Sequence, residues 1–407
     1  MKKNKTAVVL VIDAVGISTF KYLFERYGKK TKLNNLAQLG LGEILGKDYL
    51  KYLPSKYSGK SLPLSVNQVS ATADSLIGHR EMMGVIDDRT YQLFYDGFPR
   101  EYLKALEDAV GRKTFFNKMA GGVEAIEENA DRHEKTGELI VYASKCDPLI
   151  QIAMNEDVIP VKEQHFIADT AFKLGREMGL PITRCIARSY IRRNGEIIRT
   201  SNRHDAVLPV GQKTLIDLMN ENHIWTVAVG KTSDLVNTHY NAKIKLTNKI
   251  FLDPSLKLKF VHPKGKDTNP FTIQGTINAL NAKKVVYRPK GTFIFTNLVD
   301  TDSLYGHTRD IKGAVKSLEE IDRNLPLIIK AMDKGDLLII TADHGMEHRE
   351  DYGYHNNEPL PFISYRKGFD KKLGGLKTGK MPGLTDIGSI LSQFFSLEKE
   401  YSEIIKK

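Results

Sequence analysis

The chain has 407 residues, 41% of them hydrophobic and 27% charged, which is more than a single core usually spans, so about two domains are expected. Its two cysteines, Cys146 and Cys185, cannot build a disulfide framework and point to a reducing cytoplasm; no apolar stretch approaches the roughly 20 residues of a membrane span, so a soluble protein with no membrane partner is expected. The net charge of +11 comes with scattered lysines and no nucleic-acid-binding signature, which reads first as a solvated basic surface and second as a match to anionic small substrates.

In chain order, residues 6–12 (TAVVLVI) are continuous, apolar and β-branched, the pattern of a fully buried strand. Asp13 ends the run too soon for a signal peptide despite the basic MKKNK start. LNNLAQLGLG follows with helical periodicity. SATADSLIGHREMMG then sets Ser75 ahead of Gly78 and His79. A helix starting there would aim backbone N–H groups at an anion. A serine after aspartate is otherwise an ordinary cap, and Ser70 and Thr72 are rival hydroxyls.

Residues 90–211 differ in character. ARSYIRRNGEIIRTSNRHD reads as a hairpin with Asn194-Gly195 as its two-residue turn. This stretch is expected to be an inserted α/β cap domain, leaving 1–89 and 212–407 as the core. Residues 215–229 read as a helix followed by a strand. Residues 292–299 and 336–341 are two further buried strands, and GAVKSLEEIDRNLPLIIKAMDKG between them is helical up to Gly335. Such alternation implies an α/β fold with a mostly parallel sheet, helices on both faces, assembled from both ends of the chain.

The same strands end in ionisable groups. Asp13 ends the first. Asp302 and His307 follow TFIFTNLV, and Asp343 and His344 follow LLIITA, with His355 eleven residues on. His348, among Glu347, Arg349 and Glu350, reads as solvated. One such Asp is usually a turn residue, but ligands bind at this edge of a parallel sheet. Three carboxylates and three imidazoles would form two mixed oxygen–nitrogen sites suited to Mn²⁺ or Zn²⁺ rather than Ca²⁺. A metal pair stabilises attacking and leaving oxygens in phosphoryl transfer, and a nearby hydroxyl such as that of Ser75 would be activated. Arg184, Arg188, Arg192, Arg193, Arg199 and Arg203 crowd one short stretch without a lysine. Planar forks bind phosphate bidentately, and Arg188, Tyr190 and Arg192 share one strand face. Arg192, Arg193 and Arg199 read equally as a solvated hairpin.

VIDAVGI, DSLIGHREMMG, VDTDSLYGHTRD and TADHG…YH, in this order, resemble the phosphopentomutases of the alkaline phosphatase superfamily. ELIVYASKCDPLIQIAMNE, CIARSYI, RTSNRHD and VAVGKTSD resemble that family's cap and its junction with the core. The resemblance covers most of the chain, loosely at residues 20–65 and poorly at 237–290. It implies that Asp13, Asp343 and His344, with Ser75 as nucleophile, bind one divalent metal and that Asp302, His307 and His355 bind the other, Mn²⁺ first and Zn²⁺ or Mg²⁺ as alternatives. It further implies phosphate- and ribose-binding roles for Arg188 and Arg203, a ribose-binding role for Asp147, and Lys231 as the junction lysine. The implied reaction interconverts (deoxy)ribose 1-phosphate and 5-phosphate through a phosphoserine, with a sugar bisphosphate as activator. Departures leave a phosphomonoesterase, or a mutase of another sugar phosphate, as the alternative. Ala73-Asp74-Ser75 stands where the family has Lys-Asp-Thr, and Arg80 stands for a Trp. The loop at Ser144–Cys146 is longer by one residue, and a Lys-rich insertion occupies 237–290.

Overall fold

The structure is a computed structural model and describes residues 5–200, 202–245, 267–282, 285–346, 354–369 and 383–405. The chain divides into two compact units, one comprising Met1–Arg89 with Val210–Lys407 and the other Thr90–Pro209. In chain order the strands of the first unit open with β1 (Thr6–Ile12) and β2 (Ser61–Val66). Those of the second unit are β3 (Thr114–Met119), β4 (Leu139–Ala143), β5 (Leu149–Asn155), β6 (Arg184–Arg193), β7 (Glu196–Arg199) and β8 (His204–Val207). The first unit resumes with β9 (Trp225–Val229), β10 (Ala242–Ile244), β11 (Thr292–Leu298), β12 (Leu337–Thr341) and β13 (Leu360–Arg366). The helices begin with α1 (Ile17–Tyr27), α2 (Asn34–Gln38), α3 (Leu41–Leu45) and α4 (Ser75–Met82) in the first unit, then α5 (Arg100–Val110), α6 (Gly122–Thr136) and α7 (Val161–Glu177) in the second. They continue in the first with α8 (Leu215–Glu221), α9 (Thr232–Leu235), α10 (Asn269–Ala282), α11 (Ile311–Ala331), α12 (Thr385–Phe395) and α13 (Glu398–Ile404).

The first unit's sheet has the order β10-β9-β11-β1-β12-β13-β2. From β10 to β12 neighbours are parallel, whereas β13 and β2 add on antiparallel at one edge. Why β1 is apolar from Ala7 to Ile12 is visible in its two faces. Val8, Leu10 and Ile12 enter one core with Phe20, Leu23, Ile273, Leu318 and Leu325. Ala7, Val9 and Val11 enter the other with Leu215, Met219, Ile387, Leu391 and Phe394. Side chains alternate sides along a strand, so a strand covered on both sides loses the apolar/polar alternation. Each buried Val, Leu or Ile contributes about 1.5–3 kcal/mol. The α/β class with helices on both faces is as the sequence implies.

Three local expectations are corrected. LNNLAQLGLG is not one helix but α2 and α3, because Gly40 takes φ 98° between them, outside the helical region. The long helix stops at Ala331 rather than running toward Gly335, since Met332 is already extended; Lys367 Nζ donates to the Ile329 and Met332 carbonyls at 2.8 and 2.6 Å and satisfies its last turn. Asp336 lies just outside β12, where its carboxylate accepts the Thr6 N–H at 2.9 Å.

In the second unit, β3-β4-β5-β6-β7 form a mixed sheet, and β8 pairs with the other end of β6. Asn194 and Gly195 both have positive φ (52° and 83°), the mirror-image turn that a two-residue hairpin favours. One face of this sheet is covered by α6, whose Ala125, Ile126 and Ala130 pack on Ile140, Tyr142, Ala153 and Tyr190.

Candidate metal centre

The parallel strands deliver their ends to one edge. Asp13 follows β1, and its N–H donates to the Leu298 carbonyl at the end of β11 (3.0 Å). Ala14 turns the chain sharply at φ 59° and donates its N–H to Asp343 Oδ1 (3.1 Å), tying the loop after β1 to the loop after β12. Asn297 Nδ2 donates to Asp13 Oδ2 (2.9 Å), and Thr301 Oγ1 to the Asp13 carbonyl (2.6 Å). Asp13 is thus fixed with Oδ1 left to face the centre. There it lies 3.3 Å from Ser75 Oγ and 3.5 Å from His344 Nε2.

Ser75 is the first residue of α4, and Asp74, not Ser75, is the cap, accepting from the Leu76 N–H at 2.7 Å. This frees Ser75 Oγ, which also lies 3.1 Å from His344 Nε2. The rival hydroxyls point elsewhere. Ser70 Oγ accepts the Asp87 N–H (3.1 Å), and Thr72 Oγ1 donates to the Arg89 carbonyl (3.3 Å). Gly78 lets α4 approach, since a Cβ there would sit 2.1 Å from the Asp343 carbonyl oxygen.

Two groups of three donors result, Asp13/Asp343/His344 and Asp302/His307/His355, each with its donor atoms within 4.8 Å of one another. Asp302 sits in the π-helical turn Thr301–Gly306 after β11, with Oδ1 3.4 Å from His307 Nε2 and 3.3 Å from His355 Nε2. The groups adjoin, the His344 and His355 ring centroids being 3.9 Å apart. The neighbouring Asp300 serves structure instead, accepting from the N–H groups of Thr268 and Asn269 at the start of α10 (both 2.7 Å). His348 lies outside the described residues.

The electrostatics favour cations here. Burial, then Asp343, pushes the Asp13 carboxyl up to about 6. Burial also opposes ionisation of Asp302 and Asp343. For Asp302 the imidazoles of His307 and His355 outweigh it, and for Asp343 those of His344 and His79 do, so both stay well below the usual carboxylate range. Burial likewise opposes a charged His344, but Asp343 and Asp13 outweigh it and hold that imidazole well above its usual value. Asp343 Oδ2 is buried without a hydrogen-bond donor, although His79 Nδ1 is 3.3 Å away, because that nitrogen is directed at the Ser75 carbonyl (2.8 Å). A buried carboxylate oxygen left this way costs about 1–3 kcal/mol or more unless a cation meets it. His344 Nδ1 bonds the Gly345 carbonyl (3.1 Å), which turns Nε2 toward the centre as a donor pair.

His79, Asn297 and Glu358 carry no site role in the sequence reading. The signal for His79 is its position one turn after Ser75 on α4. Glu358 accepts the Ser18 N–H at 2.6 Å and fills the space that side chains on Gly16 and Gly345 would take. Lys231 follows Gly230 beyond β9, and a Cβ on Gly230 would lie 2.8 Å from the Asn297 carbonyl oxygen, so it too stands at this sheet edge. The remaining candidates are in the second unit. Arg188 Nε donates to Gln151 Oε1 (2.8 Å), Arg203 is paired with Asp205, and Asp147 is held by Arg184 (3.1 Å). Among the described residues, no helix is long and apolar enough to cross a membrane.

Among solved structures, the chain is similar to a phosphoglycerate mutase from Leishmania mexicana, with 10% identity over 97% of this chain and 96% of that one and a TM-score of 0.45. It is similar to an alkaline phosphatase from the Antarctic bacterium TAB5, with 12% identity over 98% and 99% of the two chains and a TM-score of 0.37. It is also similar to a protein in the alkaline phosphatase superfamily from Vibrio parahaemolyticus, with 10% identity over 91% of this chain and 62% of that one and a TM-score of 0.40. The family model of the metalloenzyme superfamily matches residues 5–399. That span runs through both compact units and all six donor residues, and the chain belongs to the metalloenzyme superfamily, a membership that implies divalent metal ions.

Proposed function

We propose that the protein is a phosphopentomutase, interconverting ribose or deoxyribose 1-phosphate with the 5-phosphate through a phosphoserine at Ser75. The observation that carries the reading is Ser75 Oγ at the start of α4, within 3.3 Å of Asp13 Oδ1 and 3.1 Å of His344 Nε2. The residues fit two divalent cations. Two carboxylates with one imidazole, and one carboxylate with two imidazoles, are an oxygen–nitrogen set without thiolate, and Asp343 Oδ2 lacks a donor. Asp13, Asp343 and His344 would hold one ion beside Ser75, and Asp302, His307 and His355 the other, with Mn²⁺ ahead of Zn²⁺ or Mg²⁺. Bound there, such ions neutralise phosphoryl charge and lower the pKa of a hydroxyl nucleophile.

The chain's own groups supply the rest. Ser75 Oγ donates its hydrogen bond to Asp13 Oδ1, which orients the oxygen for attack. From the phosphoserine, the P–Oγ bond breaks as a sugar hydroxyl oxygen bonds phosphorus, and the sugar becomes a bound bisphosphate. Its other phosphoryl group then returns to Ser75 Oγ as the P–O bond to the sugar breaks, and in each step the departing oxygen takes up the proton that the attacking hydroxyl loses. The family resemblance supports Arg188, Arg203, Asp147 and Lys231 as contacts to the sugar phosphate.

Ala73, where the resembling family has Lys, favours one second reading, a phosphomonoesterase in which water takes the phosphoryl group. Incubation with ribose 1-phosphate and Mn²⁺, followed by ³¹P NMR, tests both. Ribose 5-phosphate without free phosphate is expected. Free phosphate alone would reject the mutase in favour of the esterase.

A further inference from the structure

Glu358 belongs to neither donor group, yet loops that carry donors of both meet on its side chain. Helix α1 has Gly16 as its cap residue, which offers no side chain, and it has no acidic residue in its first turn. Its first N–H groups are met from a distant part of the chain. The Pro359 carbonyl accepts the Ile17 N–H at 2.9 Å, and Glu358 Oε2 accepts the Ser18 N–H at 2.6 Å. A helix N-terminus leaves such donors unsatisfied and favours a negative charge beside them. Loop 13–16, which carries Asp13, is thereby fastened to segment 354–359, which carries His355.

The same segment is fastened to the loop after β12. Gly345 and Asn356 exchange two backbone N–H···O bonds of 3.0 Å. The Gly345 carbonyl that accepts the Asn356 N–H also bonds His344 Nδ1 at 3.1 Å. Asn356 Oδ1 in turn accepts the Glu358 N–H at 3.4 Å.

Two glycines make room for the Glu358 side chain. A Cβ on Gly16 would lie 2.0 Å from its Cδ, and one on Gly345 would lie 2.2 Å from its Cγ. The backbone does not call for glycine at either place, since neither takes a positive φ. Gly16, at φ −79° and ψ 176°, has a conformation open to any residue. What both positions provide is space, and Glu358 fills it.

Resting on the paired-metal reading of the centre, we propose that Glu358 is a positioning residue for both metal sites at once. Packed between Gly16 and Gly345 and capping α1, it sets the spacing of the loops that carry Asp13, His344 and His355. Without its carboxylate, Asp13 of one donor group and His355 of the other lose a common anchor.

The test uses the full chain, with Mn²⁺ as the probe. Calorimetry of the wild-type protein should show two ions bound, and electron paramagnetic resonance should show the signature of a coupled Mn²⁺ pair. Glu358→Ala should weaken both sites together, about 10- to 100-fold, and diminish the pair signal in protein that is folded by circular dichroism. Glu358→Gln keeps an oxygen for the Ser18 N–H and should recover most of the affinity and the pair signal. Gly16→Ala should reproduce the Glu358→Ala loss, because its methyl group expels the carboxylate, and combining the two should add nothing further. Gly16→Ala decides the matter alone if Glu358→Ala does not fold. A lowered unfolding temperature with unchanged Mn²⁺ affinity and pair signal would make Glu358 an ordinary helix cap and overturn the proposal. Additive losses in the double variant would overturn it too. Wild-type protein that binds no Mn²⁺ pair would reject the paired-metal reading itself, and the positioning role with it.

Discussion

At the scale of single residues, the centre depends on which atom of each side chain is already committed. Asp13 gives Oδ2 to Asn297, His344 gives Nδ1 to the Gly345 carbonyl, and His79 gives Nδ1 to the Ser75 carbonyl. For Asp13 and His344 the commitment leaves Oδ1 and Nε2 facing the centre. Ser75→Ala should therefore remove turnover, a loss on the order of 10³-fold or more, while Mn²⁺ binding measured by calorimetry is retained; full activity would move the nucleophile to another hydroxyl. His79 is fully buried against Phe295, bonds the Ser75 carbonyl through Nδ1 and lies 3.3 Å from the Asp343 carboxylate. His79→Asn should lower Mn²⁺ affinity about 10- to 100-fold, as expected for a residue that orients a ligand. An affinity equal to wild type would reduce His79 to packing.

Elements explain how residues from distant parts of the chain meet. Helix α4 can lie against the loop after β12 only because Gly78 has no side chain, its Cβ position being 2.1 Å from a backbone oxygen that cannot swing away. Gly78→Ala should destabilise the fold by about 1–3 kcal/mol in denaturant unfolding and weaken Mn²⁺ binding as α4 is pushed off; retention of both would mean that the loop yields freely. In the second unit Asp205 of β8 pairs with Arg203 two residues before it. Burial raises the Asp205 carboxyl, but Arg203, then Arg184 and Arg188, outweighs it and brings it down to about 2, from an ordinary value of 3.8. Its folded-state value lies below the unfolded one, so the stabilisation is present above about pH 4 and is lost as pH falls toward 2. Asp205→Asn should cost on the order of 2 kcal/mol near neutral pH, and the difference from wild type should shrink between pH 4 and 2. A pH-independent difference would show that the charge pair is not its source. Much at this scale is legible in the sequence, and the reason is specific. A strand such as β1, covered on both faces, is apolar from Ala7 to Ile12, so Asp13 marks its end and the sheet edge at once; β11 is less regular, with Thr296 and Asn297 buried inside it. The antiparallel edge strands β13 and β2 are not legible in this way, because β2 is short and only partly buried along its length. Nor are the partners of the arginines. Arg203 and Asp205 are neighbours in sequence, but Arg192 meets Glu134 across 58 residues, a distance that no local pattern spans.

For the whole molecule, two halves of one core, separated in sequence by the second unit, supply the two donor groups. Asp13 comes from the first segment, and Asp302, His307, Asp343, His344 and His355 from the last. Metal binding should therefore be coupled to the stability of the core, since the sites exist only when the segments are assembled. Mn²⁺ at about 100 times its dissociation constant should add about 2.7 kcal/mol, read as a rise in unfolding temperature that chelator reverses; an unfolding temperature indifferent to both would separate metal from fold. The most direct measurement is anomalous diffraction at the manganese edge from crystals grown with Mn²⁺. Two peaks are expected, one about 2.0–2.3 Å from donor atoms of Asp13, Asp343 and His344 and one equally close to Asp302, His307 and His355. A single peak, or peaks away from these six side chains, would contradict a paired-metal centre beside Ser75.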